Sequence, residues 1–241
     1  MDARVTSNTR MRSMNPFAAA LALAQGWWIR RRIELLPPAP GPTSGAVGTA
    51  RAGQVVRLGV IGESTAAGCG VLSHGEGFAG ALAEKLAASG GSVEWTVVGE
   101  DGATARRIRY RLMPRLVGDF DVVVVLAGVN DVLARRSPAD WCDDLAAILS
   151  ELTARSRRVI VTGTPPFVAF PSLPTTLAHY LDDRGRQLDS VSRAVCAVAP
   201  DAVFVGSEPG LVGDGFFARD GFHPAERGYR RWAELAAEAL A

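Results

Sequence analysis

Lysine is almost missing from this chain: Lys85 is the single lysine, and the other basic residues are arginines. Together with the abundance of alanine and glycine, this is the imprint of a GC-rich coding sequence and carries no functional meaning. Cysteine is equally sparse. Cys69, Cys142 and Cys196 are odd in number and far apart, with no CxxC or metal-ligand spacing, so neither a disulfide framework nor a zinc site is expected, only reduced thiols. Charge of one sign is lacking too, since Lys plus Arg (26) against Asp plus Glu (25) leaves a net +1. No global field therefore draws nucleic acid, an anionic membrane or an acidic substrate, and no nucleic-acid partner is expected. The HExxH and P-loop strings are absent, and no internal repeat is evident.

No apolar run reaches the ~20 residues that a membrane span needs. Phe17 to Ile29 (FAAALALAQGWWI) comes nearest, but Gln25 and Gly26 interrupt it, and arginines stand on both sides. A signal peptide would have a basic start, an apolar stretch and a small-x-small site at Ala22-Leu23-Ala24, yet Trp27-Trp28-Arg-Arg-Arg would make an odd mature terminus. Two docked states remain open: an accessory helix packed on the domain, or a segment held at a lipid interface by its tryptophans and arginines. Residues 1–36 are read as this accessory or interfacial unit, with peripheral membrane contact as one outcome. A cytoplasmic or membrane-peripheral location is expected ahead of secretion. Pro37 to Gly53 (PPAPGPTSGAVGTARAG) is dense in Pro, Gly and small residues and reads as a linker.

With 241 residues the chain is long enough for one catalytic domain, expected over 54–241. From Val55 onward short aliphatic runs alternate with helical stretches, the pattern of βαβ units around a parallel sheet. Five strands are predicted: Val55–Ile61, Val93–Val98, Asp121–Ala127, Arg158–Thr162 and Ala202–Val205. Helices are predicted over Phe78–Ala88, Ala105–Leu116 and Ala139–Ala154, within Leu177–Val198, and from Pro224, whose fixed φ suits a first helical turn.

In open α/β sheets the functional crevice lies outside the carboxyl ends of the strands. Four polar signals fall there: Gly62-Glu63-Ser64, Gly99-Glu100-Asp101-Gly102, Gly128-Val129-Asn130-Asp131, and Asp220-Gly221-Phe222-His223-Pro224 before the last helix. A serine hydroxyl needs a base to remove its proton, and the base needs a partner to fix its tautomer. A turn across Asp220 to His223 can set the carboxylate on Nδ1 while Nε2 faces Ser64. Donors for a developing oxyanion are available from the N–H groups of Ser64 and Gly102 and the side-chain amide of Asn130. Taken singly each signal has a plainer explanation: Gly-x-Ser after a strand arises by chance, Asp131 could cap the next helix, and DxxHP could be a turn before a helix-start proline. Their joint order at strand ends argues against coincidence. His74 and His179 lack a carboxylate at that spacing and are expected at the surface or the rim, and Cys69 as a small packed residue.

GEST at Gly62–Thr65, a glycine after strand two, GVND at Gly128–Asp131 and DGFHP at Asp220–Pro224 resemble the ordered blocks of the SGNH (GDSL-type) hydrolases, over Val55 to Ala241. The resemblance implies Ser64 as nucleophile, His223 as base, Asp220 as third triad member, and Gly102 and Asn130 as oxyanion donors with the Ser64 N–H. Gly99 competes with Gly102. It also implies a three-layer, flavodoxin-like α/β fold with a five-stranded parallel sheet of order 2-1-3-4-5, and small-molecule ester or thioester substrates with no cofactor and no metal. Glu63 stands where the family usually has aspartate, and Thr65 where it has leucine.

Competing chemistries fit less well. Gly75 to Gly80 satisfies GxGxxG but does not directly follow a strand, and the elbow GxSxG fails because position 66 is alanine. A non-catalytic flavodoxin-like binding module is the alternative of another class, against which the complete Ser, Asp and His set argues. For the acyl pocket, Phe167, Phe170 and Leu173 in Thr164–Pro174 are candidates, as are Phe216 and Phe217, with core packing as the equally simple reading. The expected substrate is a lipid-like or short acyl ester. A carbohydrate deacetylase or an acyltransferase on the same site is the runner-up, and oligomeric state stays open.

Overall fold

The computed structural model describes residues 21–22, 24–26, 34–49, 55–88, 90–207 and 210–240. Among the described residues six strands form one sheet: β1 (Ser44–Gly48), β2 (Val55–Gly62), β3 (Ser92–Gly99), β4 (Phe120–Leu126), β5 (Ser156–Thr162) and β6 (Ala202–Val205), in the order β1-β3-β2-β4-β5-β6. β2 to β6 are all parallel and follow the expected 2-1-3-4-5 order. The difference is β1, which pairs antiparallel with β3 on the outer edge. It lies inside the segment read as a linker. The small residues there serve close approach instead of slack: a Cβ on Gly45 would lie 2.5 Å from the Trp95 ring.

The helices are α1 (Phe78–Ala87), α2 (Ala105–Arg107), α3 (Val129–Leu133), α4 (Pro138–Thr153), α5 (Thr175–Val198) and α6 (Glu226–Glu238). Alternation along β4 sends Val123 and Val125 to one face and Val122, Val124 and Leu126 to the other. The first face packs on α4 and α5, whose contact is pinned by Trp141 Nε1–H donating to Ser192 Oγ at 2.9 Å. The second packs on α1 and α6, where Phe78 and Trp232 meet edge to face at 5.9 Å. α4 begins with a capping box, Ser137 with Asp140, and with Pro138 in its first turn.

Two helix expectations are corrected and one helix is added. The predicted Ala105–Leu116 helix is α-helical only in α2, then widens to a π turn (Ile108–Leu112) and tightens to a 3-10 turn (Met113–Arg115), where Pro114 has no N–H to give. The last helix starts at Glu226, because Pro224 is held extended by a bridge to Phe217. α3, which carries Asn130, was not anticipated. In the N-terminal apolar stretch the described residues include helical ones: Ala22 is buried in the first core, and Gln25 Oε1 accepts the Leu177 N–H at 3.1 Å, filling an orphan donor of the first turn of α5. Trp27, Trp28 and the flanking arginines lie outside the described residues.

Candidate active site

Ser64 follows the carboxyl end of β2, in a run of turns closed by Ala67 N–H to Glu63 O and Cys69 N–H to Ser64 O, both 3.0 Å. A small hairpin on the far side of the crevice brings up Asp220 and His223: Ala218 N–H donates to His223 O and Ala225 N–H to Phe216 O, both at 2.8 Å. At its tip His223 Nδ1 lies 2.7 Å from Asp220 Oδ2. Asp220 Oδ1 accepts the N–H groups of Phe222 (3.0 Å) and His223 (2.9 Å). A further donor comes from far away in the chain, the Leu36 N–H, 3.3 Å from Asp220 Oδ2. The Asp220 and His223 side chains are 1% and 2% exposed. Burial raises the Asp220 pKa, but the bond to the His223 ring, the two amides and the histidine charge outweigh it and bring the carboxyl down to about 2. An ionised Asp220 can only accept, so the proton sits on Nδ1 and the Nε2 lone pair is left open.

Asn130 is placed by α3 and by Glu63. The buried Glu63 carboxylate accepts the Asn130 N–H (3.0 Å) and Asn130 Nδ2–H (2.9 Å) on Oε2 and the Val129 N–H (3.2 Å) on Oε1. That leaves Asn130 Nδ2 one unused hydrogen. Asp131 does not cap its own helix: its Oδ2 accepts the Ala105 N–H at 2.8 Å, which ties the loop after β3 to the loop after β4. Gly102 sits in that loop at φ +73, in a position that L side chains rarely adopt. Neither the Gly102 N–H nor the Ser64 N–H has an acceptor among the described residues. Gly99, the competing glycine, lies inside the β2–β3 ladder opposite Gly62, and a Cβ there would lie 2.3 Å from Ala67 N. It is glycine because the turns after Ser64 rest on it.

Ser64 and His223 line one pocket, together with Glu63, Thr65, Val129, Pro165, Phe170, Phe216, Phe217, Phe222 and Pro224. Phe170 is the hub of the aromatic wall, 4.9 Å from Phe217 and 5.3 Å from Phe222 between ring centres. The loop that bears it is tied to the Asp–His hairpin by Ser172 Oγ–H donating to Gly221 O at 2.8 Å. Of the aromatic candidates from the sequence, Phe170, Phe216 and Phe217 reach the pocket. Phe167 is fully buried, stacked on Phe170 at 5.2 Å, and Leu173 packs against the core, so both serve packing. Phe222, beside the catalytic-type histidine, was missed. The space enclosed is about 10 Å³, room for about one water molecule. His179 is exposed as expected, whereas His74 is buried (5% exposed), packed by Gly68, and its pKa is lowered by that burial.

A sheet of five parallel strands and one antiparallel edge strand, with a serine, a histidine–carboxylate pair and backbone donors at the carboxyl ends of its parallel strands, is the frame of an α/β hydrolytic enzyme. Residues 60–231 match the GDSL-like lipase/acylhydrolase family, and the chain belongs to that family. It is a GDSL-type esterase. Among solved structures it is similar to TesA (24% identity, TM-score 0.58, covering 76% of this chain and 97% of that one). It is also similar to a putative SGNH hydrolase from Slackia heliotrinireducens (20% identity, TM-score 0.60, 78% and 100% covered). A third is an acetylxylan esterase from Geobacillus stearothermophilus (16% identity, TM-score 0.56, 77% and 94% covered). At these identities the likeness speaks for a shared flavodoxin-like fold. No curated protein sequence matches the chain.

Proposed function

We propose that the chain hydrolyses a short-chain carboxylic ester through an acyl-enzyme on Ser64. The observation that carries this reading is the buried Asp220–His223 pair, bonded at 2.7 Å, in one pocket with Ser64. His223 Nε2 takes the Ser64 hydroxyl proton as Oγ attacks the ester carbonyl carbon. The carbonyl oxygen becomes an anion and meets three donors with no other acceptor among the described residues: the N–H groups of Ser64 and Gly102 and the second Nδ2 hydrogen of Asn130. His223 returns the proton to the departing alkoxide, and water repeats the sequence to release the acid. Asp220 stays ionised throughout and stabilises the imidazolium between the two transfers.

The substrate class follows from the pocket wall. Four phenylalanines favour an apolar acyl group, and the small volume favours a short one. The test is hydrolysis of p-nitrophenyl acetate and longer p-nitrophenyl esters by wild type and Ser64→Ala, with circular dichroism to show both folded. Turnover of the short ester that vanishes in the variant is expected. Two folded proteins with equal turnover would remove Ser64 from the role, and a fluorophosphonate label mapped to another residue would do the same. A lysophospholipid and an acetylated sugar, run beside the short ester, separate the remaining substrate classes.

A further inference from the structure

Cys69 takes no part in the reaction above, yet it stands beside its base. Cys69 Sγ, a carboxylate oxygen of Asp101 and a ring nitrogen of His223 all lie within 4.8 Å of one another. We propose that Cys69, Asp101 and His223 form a site for a thiophilic divalent cation such as Zn²⁺, and that its occupation switches the esterase off. Three arguments carry this. The donor types are those of three-ligand zinc centres, and tetrahedral Zn²⁺ holds such atoms about 3.3–3.6 Å apart. Closing the set takes a contraction of up to about 1 Å, part of which Asp101 can supply from its exposed turn. Second, Asp220 already holds Nδ1–H, the carboxylate–histidine arrangement that orients a metal-binding imidazole and leaves Nε2 open. Third, the carboxylates of Asp101 and Asp220 both stand near Cys69, and a cation there would offset their charge.

Binding breaks the Cys69 S–H bond, releases that proton to solvent and forms metal–S, metal–N and metal–O bonds with no change of oxidation state. With Nε2 occupied, Ser64 loses its base. The inhibitory half rests on the esterase reading, while the binding half does not.

The test uses the full chain, stripped with EDTA and desalted, as wild type, Cys69→Ser and Asp101→Asn, with circular dichroism for folding. Co²⁺ titration reads binding through the thiolate-to-cobalt absorption in the near ultraviolet. Zn²⁺ titration of p-nitrophenyl acetate hydrolysis reads inhibition. Wild type should show the absorption and an inhibition that EDTA reverses. Cys69→Ser should keep basal turnover, lose the absorption, and need more than about 100-fold more Zn²⁺, beyond what loss of an outer partner alone commonly costs. Asp101→Asn should fall between. Absence of the absorption in wild type overturns the site, and so does equal Zn²⁺ inhibition in all three proteins. If no ester is turned over, the absorption and its loss in Cys69→Ser still decide binding, so failure of the site and failure of the esterase reading are told apart.

Discussion

Glu63 is a buried acid one residue before Ser64, the proposed nucleophile, and Glu63→Gln tests what it does. Its carboxyl group takes two N–H bonds from Asn130 on Oε2 and one from Val129 on Oε1. Glutamine has the same shape and a single acceptor oxygen. If that oxygen keeps both Asn130 bonds, the amide nitrogen faces the Val129 N–H, and one buried donor is left unpaired at about 1–3 kcal/mol. The wild-type acid carries a cost of its own, because burial raises its pKa from 4.5 to about 8 against the pull of the three donors. The unfolded chain gives up this proton near 4.5 and the folded chain keeps it to about 8. Between those values the unfolded state binds fewer protons, so stability falls as pH rises. At about 1.36 kcal/mol per pH unit the ceiling is about 4 kcal/mol between pH 5 and pH 8. Glutamine does not titrate and escapes this loss. Urea unfolding of both proteins should therefore find the variant less stable at pH 5, with the gap closing or reversing at pH 8. A gap that stays the same at both values would refute the buried, protonated acid.

Other outcomes follow from the same geometry. Asn130→Ala should lower kcat by about 100- to 1000-fold, and Glu63→Gln should lower it further only while Asn130 is present; equal proportional losses in both backgrounds would disconnect the two residues. Leu36→Pro removes the N–H that reaches Asp220 and should cost about tenfold in kcat, at the low end for a bond to a charged group, whereas Leu36→Ala keeps the N–H and should cost little. Phe170→Ala should destabilise the fold by about 3–5 kcal/mol in a denaturant titration. It should also raise the ratio of octanoate to acetate turnover by about tenfold or more, and an unchanged ratio would take Phe170 out of the acyl pocket. Dialysis against EDTA should leave ester hydrolysis intact, since no step above uses a metal.

The parts of the fold that could be read in advance are those whose signal is local. β2 to β6 are runs of valine and other β-formers, and burial on both faces of β4 and of the second halves of β2 and β5 makes such runs hard to mistake. The order of the sheet came through family resemblance. β1 stayed hidden because its residues look like a linker, and what makes them a strand is the Trp95 ring lying over Gly45, a contact between positions 50 apart in the chain. The irregular helix after Ala105 escaped for a related reason. Its periodicity is helical throughout, and Pro114, which has no N–H to give, marks only the final 3-10 turn and not the π turn before it.

The candidate site divides along the same line. Asp220 and His223 are three residues apart, and a bond within one turn can be inferred from spacing. Asn130 and Gly102 rested on resemblance, and geometry adds what resemblance cannot: a carboxylate that holds one, and a loop tied to Asp131 that carries the other. Leu36 and Cys69 gave no such signal. Leu36 acts through a backbone N–H, which any residue but proline would supply, so no side-chain pattern could mark it. It also lies outside residues 60–231, the stretch that the family match spans. The environment of the catalytic-type carboxylate is therefore completed by a part of the chain that family membership does not describe. Whatever displaces the segment around Leu36 should act on Asp220 before it acts on the pocket, and so should change kcat ahead of KM.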